Sequence, residues 1–238
     1  MKQDRRLEGA IDFHTHILPG MDHGSRDLGE AIAQWQMLTE LGIPYVVATP
    51  HFYAQTEPSV EDFLVRRDAA ADALCARVSG GPRLVPGAEV LLCRGLENMQ
   101  GLDRLCIKGT NVILLEMPLS GFDYADVKTV ERIAALGLLP LIAHIDRCSP
   151  AALALLYDSG CARYQVNAEA FLGFSRRAAF FRRMAKDGAI AAIGSDLHNA
   201  DARALRSLCR ALDRLGPAAD MICAQSRALL ADAHFLEI

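Results

Sequence analysis

The chain has 238 residues, a formal net charge of −4 and 51% hydrophobic residues. This length and apolar content suffice for one large core, and no linker-like stretch divides the sequence. We therefore predict a single domain over residues 1–238, with an N-terminal extension at 1–9. The slightly acidic balance provides no basic face for a phosphate backbone, so nucleic acid is excluded as an expected partner.

The seven cysteines are scattered without a CxxC pair, in a chain too long to need disulfide bonds for its stability. This usage is typical of reduced cysteines in the cytoplasm. The longest apolar stretch, 133–143, is too short to span a bilayer and contains Pro140. The sequence therefore predicts a cytoplasmic protein without membrane insertion.

Short β-prone apolar runs alternate with longer segments of helical periodicity, which predicts βα units and a parallel sheet. In chain order, strands are expected near 11–14, 45–49, 84–88, 112–116, 138–143, 163–167 and 190–194. Helices are expected near 27–41, 58–78, 125–136, 150–158, 170–187, 200–214 and 218–230. Seven such strands favour a parallel α/β barrel, and an open doubly wound sheet is the alternative.

Six of the seven histidines lie where an apolar run ends. They are His14, His16, His23, His51, His144 and His198. In a parallel barrel the carboxyl ends of the strands converge on one face, so we expect these side chains to meet there. Because neutral imidazole is a common ligand of transition metals, the pattern predicts a multinuclear metal centre. Any one of these histidines alone would more often be structural.

Two pairs at spacing i, i+2 strengthen this prediction. His14 and His16 on the first strand are expected to share one face, and Asp196 and His198 are expected to repeat that geometry at the last strand. Either pair alone would be unremarkable. Together, at opposite ends of the sequence, they favour a metal site.

Glu89 and Glu116 end or follow apolar runs, so each would carry a carboxylate into the interior. A buried carboxylate needs a partner, which can be a metal ion or, as the alternative, an arginine. Nitrogen and oxygen donors without thiolate favour catalytic Mn²⁺, Fe²⁺ or Zn²⁺ over structural zinc. Glu89 could bridge two ions.

Two arginines follow proposed ligands closely, Arg147 in HIDR and Arg203 in SDLHNADAR. Guanidinium binds phosphate in a bidentate manner, so these positions suggest a phosphoryl substrate, whereas the alternative is that both are surface residues. Four more arginines, at 176, 177, 182 and 183, form a basic run that we interpret as a solvated helix face.

Seven segments occur in order between residue 11 and about residue 203: IDFHTHILPG, ATPH, GAEV, LLEMP, AHIDR, QVNA and GSDLHN. Together they resemble the PHP (polymerase and histidinol phosphatase) superfamily, and within it the CpsB/CapC-type metal-dependent protein-tyrosine phosphatases of bacterial capsule and exopolysaccharide synthesis. The resemblance implies a distorted (β/α)7 TIM-like barrel with its metal site at the C-terminal ends of the strands. It also implies three divalent ions, with Mn²⁺ favoured and Fe²⁺ or Zn²⁺ as alternatives.

The resemblance also assigns residues. The first ion is implied to bind His14, His16, Glu89 and Asp196; the second Glu89, Glu116 and His144; the third His23, His51 and His198. Arg147 and Arg203 match the arginines that bind phosphate. His23 stands where these phosphatases commonly have an aspartate, which removes one negative charge and could shift the metal preference.

The resemblance further implies direct hydrolysis of phosphotyrosine in a protein, with the tail of a bacterial tyrosine kinase as the expected partner. One alternative is a small-molecule phosphoesterase acting on histidinol phosphate or a sugar phosphate. Another is a non-catalytic regulatory binding module, which the complete set of ligand residues disfavours. A cysteine-nucleophile phosphatase is excluded, because no cysteine is followed by arginine six positions later.

Overall fold

A computed structural model describes residues 9–118 and 121–236, so the predicted extension, apart from Gly9, lies outside the described residues. The strands are β1 (Ile11–Thr15), β2 (Tyr45–Ala48), β3 (His51–Phe52), β4 (Arg83–Pro86), β5 (Glu89–Leu91), β6 (Val112–Glu116), β7 (Leu139–Ile142), β8 (Arg163–Asn167) and β9 (Ala192–Gly194). The helices are α1 (Leu28–Glu40), α2 (Val60–Cys75), α3 (Tyr124–Ala135), α4 (Pro150–Ser159), α5 (Arg176–Lys186), α6 (Ala202–Leu215) and α7 (Pro217–Leu229).

The strands pair in parallel within two sheets, ordered β1-β2-β4 and β3-β5-β6-β7-β8-β9. Only two residues separate β2 from β3 and β4 from β5, which connects the sheets along one side. On the other side, Thr15 at the end of β1 forms a parallel bridge with Leu197, just beyond β9. The result is a mixed α/β fold with a curled parallel sheet, consistent with a TIM-like barrel.

The short interruptions between β2 and β3 and between β4 and β5 determine which residues of β3 and β5 lie opposite each other. Pro50 lies between β2 and β3, and Gly87 lies between β4 and β5. Proline has no backbone donor, yet its carbonyl accepts a hydrogen bond from Glu89 N at 3.0 Å. As a consequence, His51 and Glu89 are direct neighbours across the β3–β5 pair.

The helix boundaries follow local capping signals. The Asp27 side chain accepts a hydrogen bond from Glu30 N at the start of α1, as its position before a helical run predicts. The helix expected at 170–187 begins only at Arg176, because residues 168–171 form a 3-10 turn and Ser175 caps α5. No helix was expected between β5 and β6, where the chain forms two 3-10 turns.

Alternate residues of β6 divide the apolar core. Ile113 and Leu115 join a large cluster with the helix residues, whereas Val112 and Leu114 join a smaller cluster with residues of other strands. Because successive side chains of a strand point to opposite faces, the smaller cluster lies on the face of the sheet turned away from the helices. Glu116 continues that face at the end of β6. In the described ranges, none of the helices has the length and hydropathy needed to cross a bilayer.

Candidate metal centre

Four candidate ligand atoms converge near the end of β1, the start of β5 and the end of β9. The Nε2 atoms of His14 and His16 lie 3.2 Å apart, and Glu89 Oε2 lies 3.0 Å from the first and 3.3 Å from the second. Asp196 Oδ1 lies 3.7 Å from His14 Nε2 and 3.4 Å from His16 Nε2. These are the residues that the resemblance assigns to the first ion, and the structure brings them together. Their role as ligands stays a prediction.

Two glycines make room for the two histidines. A Cβ atom at Gly194 would lie 2.5 Å from His14 Cβ, and one at Gly24 would lie 2.4 Å from His16 Cβ. Real Cβ atoms do not approach other atoms so closely, so only glycine allows both imidazoles to occupy these positions.

The backbone at Asp196 differs from the sequence-based expectation. β9 ends at Gly194, and Asp196 has a φ of 54°, in the left-handed region, rather than extended strand geometry. The expected i, i+2 strand pair with His198 is therefore wrong in its backbone geometry, although both side chains reach the cluster. Such a backbone is uncommon for a residue other than glycine and is concentrated at functional sites.

Glu89 connects the first set of predicted ligands to the second. Its Oε1 atom lies 2.7 Å from His144 Nε2, and Glu116 Oε1 lies 3.8 Å from the same nitrogen. His51 Nδ1 is also close, at 3.2 Å from Glu89 Oε2 and 3.6 Å from Glu116 Oε2. The second set therefore contains the three predicted residues and has His51 beside it.

The third predicted set is looser. The rings of His51 and His198 flank His16, with centroids 4.6 Å and 4.0 Å from its own. His23 is exposed, and its ring centroid lies 4.9 Å from that of His51 and 4.4 Å from that of His198. In the part of the chain that the structure describes, the groups of ligand atoms close enough to share one ion include His16, His51 and His198, but not His23.

Burial and nearby charges shift the pKa values of Glu89 and Glu116 in opposite directions. Burial opposes ionisation of Glu89, but the nearby imidazoles of His14, His144 and His16 outweigh burial and hold the pKa of Glu89 well below its usual value. Burial and the charge of Glu89 raise the pKa of Glu116. Two adjacent carboxylates in a buried site repel each other, and a cation between them would relieve this repulsion.

Two of the histidines are less readily protonated than a free imidazole. Burial lowers the pKa of His51 to about 4, and burial together with the charge of His16 lowers the pKa of His198. A neutral imidazole keeps the lone pair that a metal ligand needs.

Buried polar atoms without a hydrogen-bond partner indicate whether the cluster suits a metal ion. Among the described residues, no hydrogen-bond partner is found for His51 Nδ1, Asp196 Oδ1 or His198 Nε2, although all three atoms are buried. Leaving such atoms without a partner is costly, and a divalent cation would satisfy them. The mixed nitrogen and oxygen donors also suit Mn²⁺, Fe²⁺ or Zn²⁺. The residues present therefore fit the implied metal ions.

Asp22 supports the cluster and was not predicted from the sequence. Its Oδ2 atom lies 2.7 Å from His16 Nδ1 and accepts a hydrogen bond from His51 N at 2.8 Å. Burial opposes ionisation of Asp22, but the His16 imidazole outweighs it and lowers the pKa of Asp22 to about 2. A carboxylate on Nδ1 fixes the tautomer of the imidazole and directs Nε2 toward the other ligands.

Strand β8 contributes two further supporting residues from the QVNA segment. Gln165 Oε1 accepts a hydrogen bond from His144 N, and Gln165 Nε2 donates to Asn167 Oδ1 at 3.0 Å. Asn167 Nδ2 then donates to Asp196 Oδ2 at 3.0 Å. The motif therefore links a residue of the second set to one of the first.

The two predicted phosphate-binding arginines lie in different environments. Arg147 is about half exposed, at 49%, and its guanidinium donates to Asp196 Oδ2 at the edge of the cluster. Arg203 lies in the first turn of α6, its side chain is 79% exposed, and its Nε lies 3.9 Å from Glu169 Oε1. Within residues 9–118 and 121–236, the contacts of Arg203 do not include the cluster.

Two of the four arginines in the basic run, which we interpreted as a solvated helix face, also bind backbone carbonyls, although Arg177 is exposed as that interpretation expects. Arg177 donates to the backbone carbonyls of Asp146 and Cys148, which flank Arg147. Arg182 donates to the carbonyls of Phe171 and Gly173. The run therefore stabilises two loops, a role that the sequence pattern could not reveal.

Cys148, which follows His144 by four residues, is packed in the interior. Cys148 Sγ lies 3.4 Å from Met117 Sδ, and burial raises the pKa of this thiol to about 11. A thiol with such a pKa is a poor nucleophile at neutral pH.

The fold and the cluster define a mixed α/β protein with a histidine and carboxylate site suited to divalent metal ions. Residues 10–215 match the family described as capsular polysaccharide synthesis, CpsB/CapC, and the chain belongs to this family.

Its relatives include the tyrosine-protein phosphatase YwqE of Bacillus subtilis, with 28% identity over 207 residues, covering 81% of this chain and 79% of that protein. The tyrosine-protein phosphatase CpsB of Streptococcus pneumoniae is 27% identical over 214 residues, covering 81% and 84%. A solved structure from a study of YwqE and CpsB, described there as unique metal-dependent tyrosine phosphatases, superposes with a TM-score of 0.76. That likeness covers 95% of this chain and 96% of the other at 23% identity, and it supports the fold.

Proposed function

We propose that this protein is a metal-dependent protein-tyrosine phosphatase that acts in capsule or exopolysaccharide synthesis. The observation that carries the proposal is the buried convergence of His14, His16, Glu89 and Asp196, with ligand atoms 3.0–3.7 Å apart in the pairs measured. This convergence occurs in a member of a family whose named relatives are tyrosine phosphatases.

The proposal includes a distorted (β/α)7 barrel formed by the whole chain as one domain. In this interpretation, β2 with β3 and β4 with β5 each occupy one strand position, and the bridge between Thr15 and Leu197 closes the ring. The metal site then lies at the C-terminal ends of the strands, as in other barrels of this type. The proposal also assigns the protein to the cytoplasm, where its seven free cysteines would stay reduced.

The proposed cofactors are three divalent ions, with Mn²⁺ favoured. Their ligands would be His14, His16, Glu89 and Asp196 for the first, Glu89, Glu116 and His144 for the second, and His23, His51 and His198 for the third. When bound, the ions supply Lewis acidity, which activates water and polarises the phosphoryl oxygens. The position of His51 between the sets makes it a candidate ligand for the second ion as well.

The protein groups around these ligands would bind and orient the phosphoryl group. Arg147, at the edge of the cluster, is positioned to neutralise phosphoryl oxygens, and Arg203 is the second candidate for this role. Arg177 holds the carbonyls on either side of Arg147 and so fixes the course of that loop. The packed Cys148 takes no part, so hydrolysis is direct. A tyrosine phenolate leaves more readily than an alkoxide, because its conjugate acid has a pKa of about 10.

The surroundings of the cluster favour a protein substrate. The hollow over His23 and His198 has a volume of about 280 Å³. This hollow is open to solvent, whereas sites for small molecules usually enclose most of the ligand surface. An open, shallow mouth can accept a phosphotyrosine on an extended polypeptide tail. The proposed substrate is therefore a phosphotyrosine protein, with the tail of a bacterial tyrosine kinase as the expected partner.

The proposal is tested by comparing substrates after the protein has been stripped of metal with a chelator and reloaded with Mn²⁺. We expect turnover of a phosphotyrosine peptide that depends on metal and is lost in His14→Ala. A preference for histidinol phosphate would instead indicate a metabolic phosphoesterase. Metal binding without turnover of either substrate would contradict both and support a regulatory binding module.

A further inference from the structure

A row of arginines follows the exposed side of α6, beyond Arg203. Arg206, Arg210 and Arg214 are all exposed, and their spacing of four residues places them on one face of the helix. Beside this row lies Phe174, whose side chain is 91% exposed. We call these four residues the α6 strip.

The aromatic member of the strip is held by one of the arginines. The Arg214 guanidinium carbon lies 5.0 Å from the centroid of the Phe174 ring, a cation–π arrangement, and Arg214 also donates to the Gly173 carbonyl at 3.4 Å. An aromatic ring this exposed costs free energy in water unless a partner covers it. Exposed aromatic and arginine residues side by side are typical of protein interfaces, where both residue types dominate binding.

The charge of this surface is unbalanced. The exposed carboxylates near these side chains are Glu169, Asp201 and Asp213, against four arginines when Arg203 is included. Glu169 already accepts a hydrogen bond from Ser207 Oγ at 3.4 Å and lies near Arg203. Among the residues that the structure describes, neither Arg206 nor Arg210 has an ion-pair partner within 4.0 Å. This excess of positive charge is local, since the whole chain has a net charge of −4.

The strip borders a hollow that leads back to Arg203. This hollow, of about 360 Å³, is bordered on one side by Arg203, Arg206 and Arg210 and on the other by the segment from Glu169 to Gly173. Arg203 is a proposed phosphate-binding residue. An extended polypeptide lying along α6 would therefore pass from Arg203 to the α6 strip.

We propose that the α6 strip binds an acidic segment of the phosphotyrosine protein substrate, at a distance from the phosphorylated residue. This inference rests on the proposed function and adds the chemistry of the substrate around the phosphotyrosine. The arginines would pair with Asp or Glu side chains of the segment, and Phe174 would contact an apolar side chain among them. Because these charges are exposed, the interaction weakens as salt is added.

The first test uses steady-state kinetics on the Mn²⁺-loaded full-length protein, with two peptides that carry the same phosphotyrosine but have glutamate or glutamine flanks. In wild type we expect a lower KM for the glutamate peptide. In the double variant Arg206→Glu/Arg210→Glu, KM for that peptide should rise about tenfold with kcat unchanged, which corresponds to about 1.4 kcal/mol. The small substrate p-nitrophenyl phosphate should be turned over as in wild type.

A matched control makes the same charge change on α5, in Arg176→Glu/Arg183→Glu. It should leave KM for the glutamate peptide within about twofold of wild type, because neither arginine borders the hollow along α6. Equal KM values for the two peptides in wild type would overturn the proposal. An equal rise of KM in the control pair would also overturn it, because the effect would then be due to net charge alone.

The second test does not depend on catalysis. A fluorescent glutamate-rich peptide without phosphate is titrated with the protein, and binding is followed by fluorescence anisotropy at low and high salt. We expect saturable, salt-sensitive binding by wild type and by the α5 control, and loss of binding in Arg206→Glu/Arg210→Glu. Absence of binding by wild type contradicts the proposal that the α6 strip binds an acidic segment. Absence of phosphatase activity with normal peptide binding contradicts only the proposed function.

Discussion

Asp22 contacts His16 on the side of the imidazole opposite to the ligand cluster, with Oδ2 2.7 Å from Nδ1, while Nε2 of the same ring faces His14 and Glu89. Asp22 is not itself a proposed ligand, but this contact fixes the tautomer and orientation of His16, which is one. Asp22 lies six residues after His16, where the chain turns back toward β3, and its carboxylate contacts both His16 and the first residue of β3.

Replacement of Asp22 by asparagine should weaken metal binding without unfolding the protein. The amide cannot hold the His16 tautomer as a carboxylate does, and loss of such a partner typically lowers metal affinity by about 10- to 100-fold. Titration of the stripped protein with Mn²⁺ by calorimetry measures this. Asp72→Asn, an exposed carboxylate on α2, is the matched control. Wild-type affinity in Asp22→Asn would show that the contact is not a determinant of binding.

Gly194→Ala should damage the site through His14. The new Cβ would lie 2.5 Å from His14 Cβ and 2.8 Å from Gln165 Nε2, so the strand end must shift. We expect reduced Mn²⁺ affinity and reduced turnover. In Gly160→Ala, where φ is 64° but no atom lies within 4 Å, only stability should fall, by about 1 kcal/mol. If both variants lost metal affinity equally, the close packing of His14 would not be the cause.

Cys148→Ser should keep its phosphatase activity. Since burial raises the pKa of Cys148 to about 11, its thiolate is scarce at pH 8 and becomes abundant only as the pH approaches that value. Alkylation of this residue by iodoacetamide, followed by mass spectrometry, should therefore be slow at pH 8 and accelerate toward pH 11. A loss of turnover by several orders of magnitude in Cys148→Ser would indicate a covalent mechanism instead.

Arg67→Met should destabilise the fold through the interruption before β5. The buried Arg67 guanidinium donates to the Gly87 carbonyl at 3.3 Å and to Asp68 Oδ1 at 2.9 Å. Removing it leaves both acceptors without this partner, at an expected cost of about 2 kcal/mol in urea unfolding. Arg66→Met removes an exposed pair with Glu57 and should cost less than about 1 kcal/mol. Equal costs would contradict a role for the buried Arg67 guanidinium.

The sequence predicted the parts of the structure that depend on local pattern. The structure has a strand in each of the seven regions where an apolar run predicted one. The histidines and carboxylates at the ends of these runs include those that the structure brings together. Asp27 before α1 is the predicted cap. Pro50 and Gly87 could have indicated the two strand interruptions, because both residues disrupt regular strand pairing.

The sequence could not predict interactions between distant loops. Asp22 reaches His51 N across 29 positions, and Gln165 reaches His144 N across 21. No local periodicity encodes such contacts. The role of Arg177 was missed for the same reason, since a basic run has the same pattern whether its arginines are solvated or bind carbonyls.

Glu89→Gln offers the most direct test of the central claim, that one buried carboxylate joins two metal sites of a phosphatase. The metal content of the reloaded protein is measured by mass spectrometry, together with turnover of a phosphotyrosine peptide. We predict three ions per chain in wild type, at least one fewer in Glu89→Gln, and loss of turnover in this variant while the fold stays intact by circular dichroism. Full metal content and full turnover in Glu89→Gln would contradict the account.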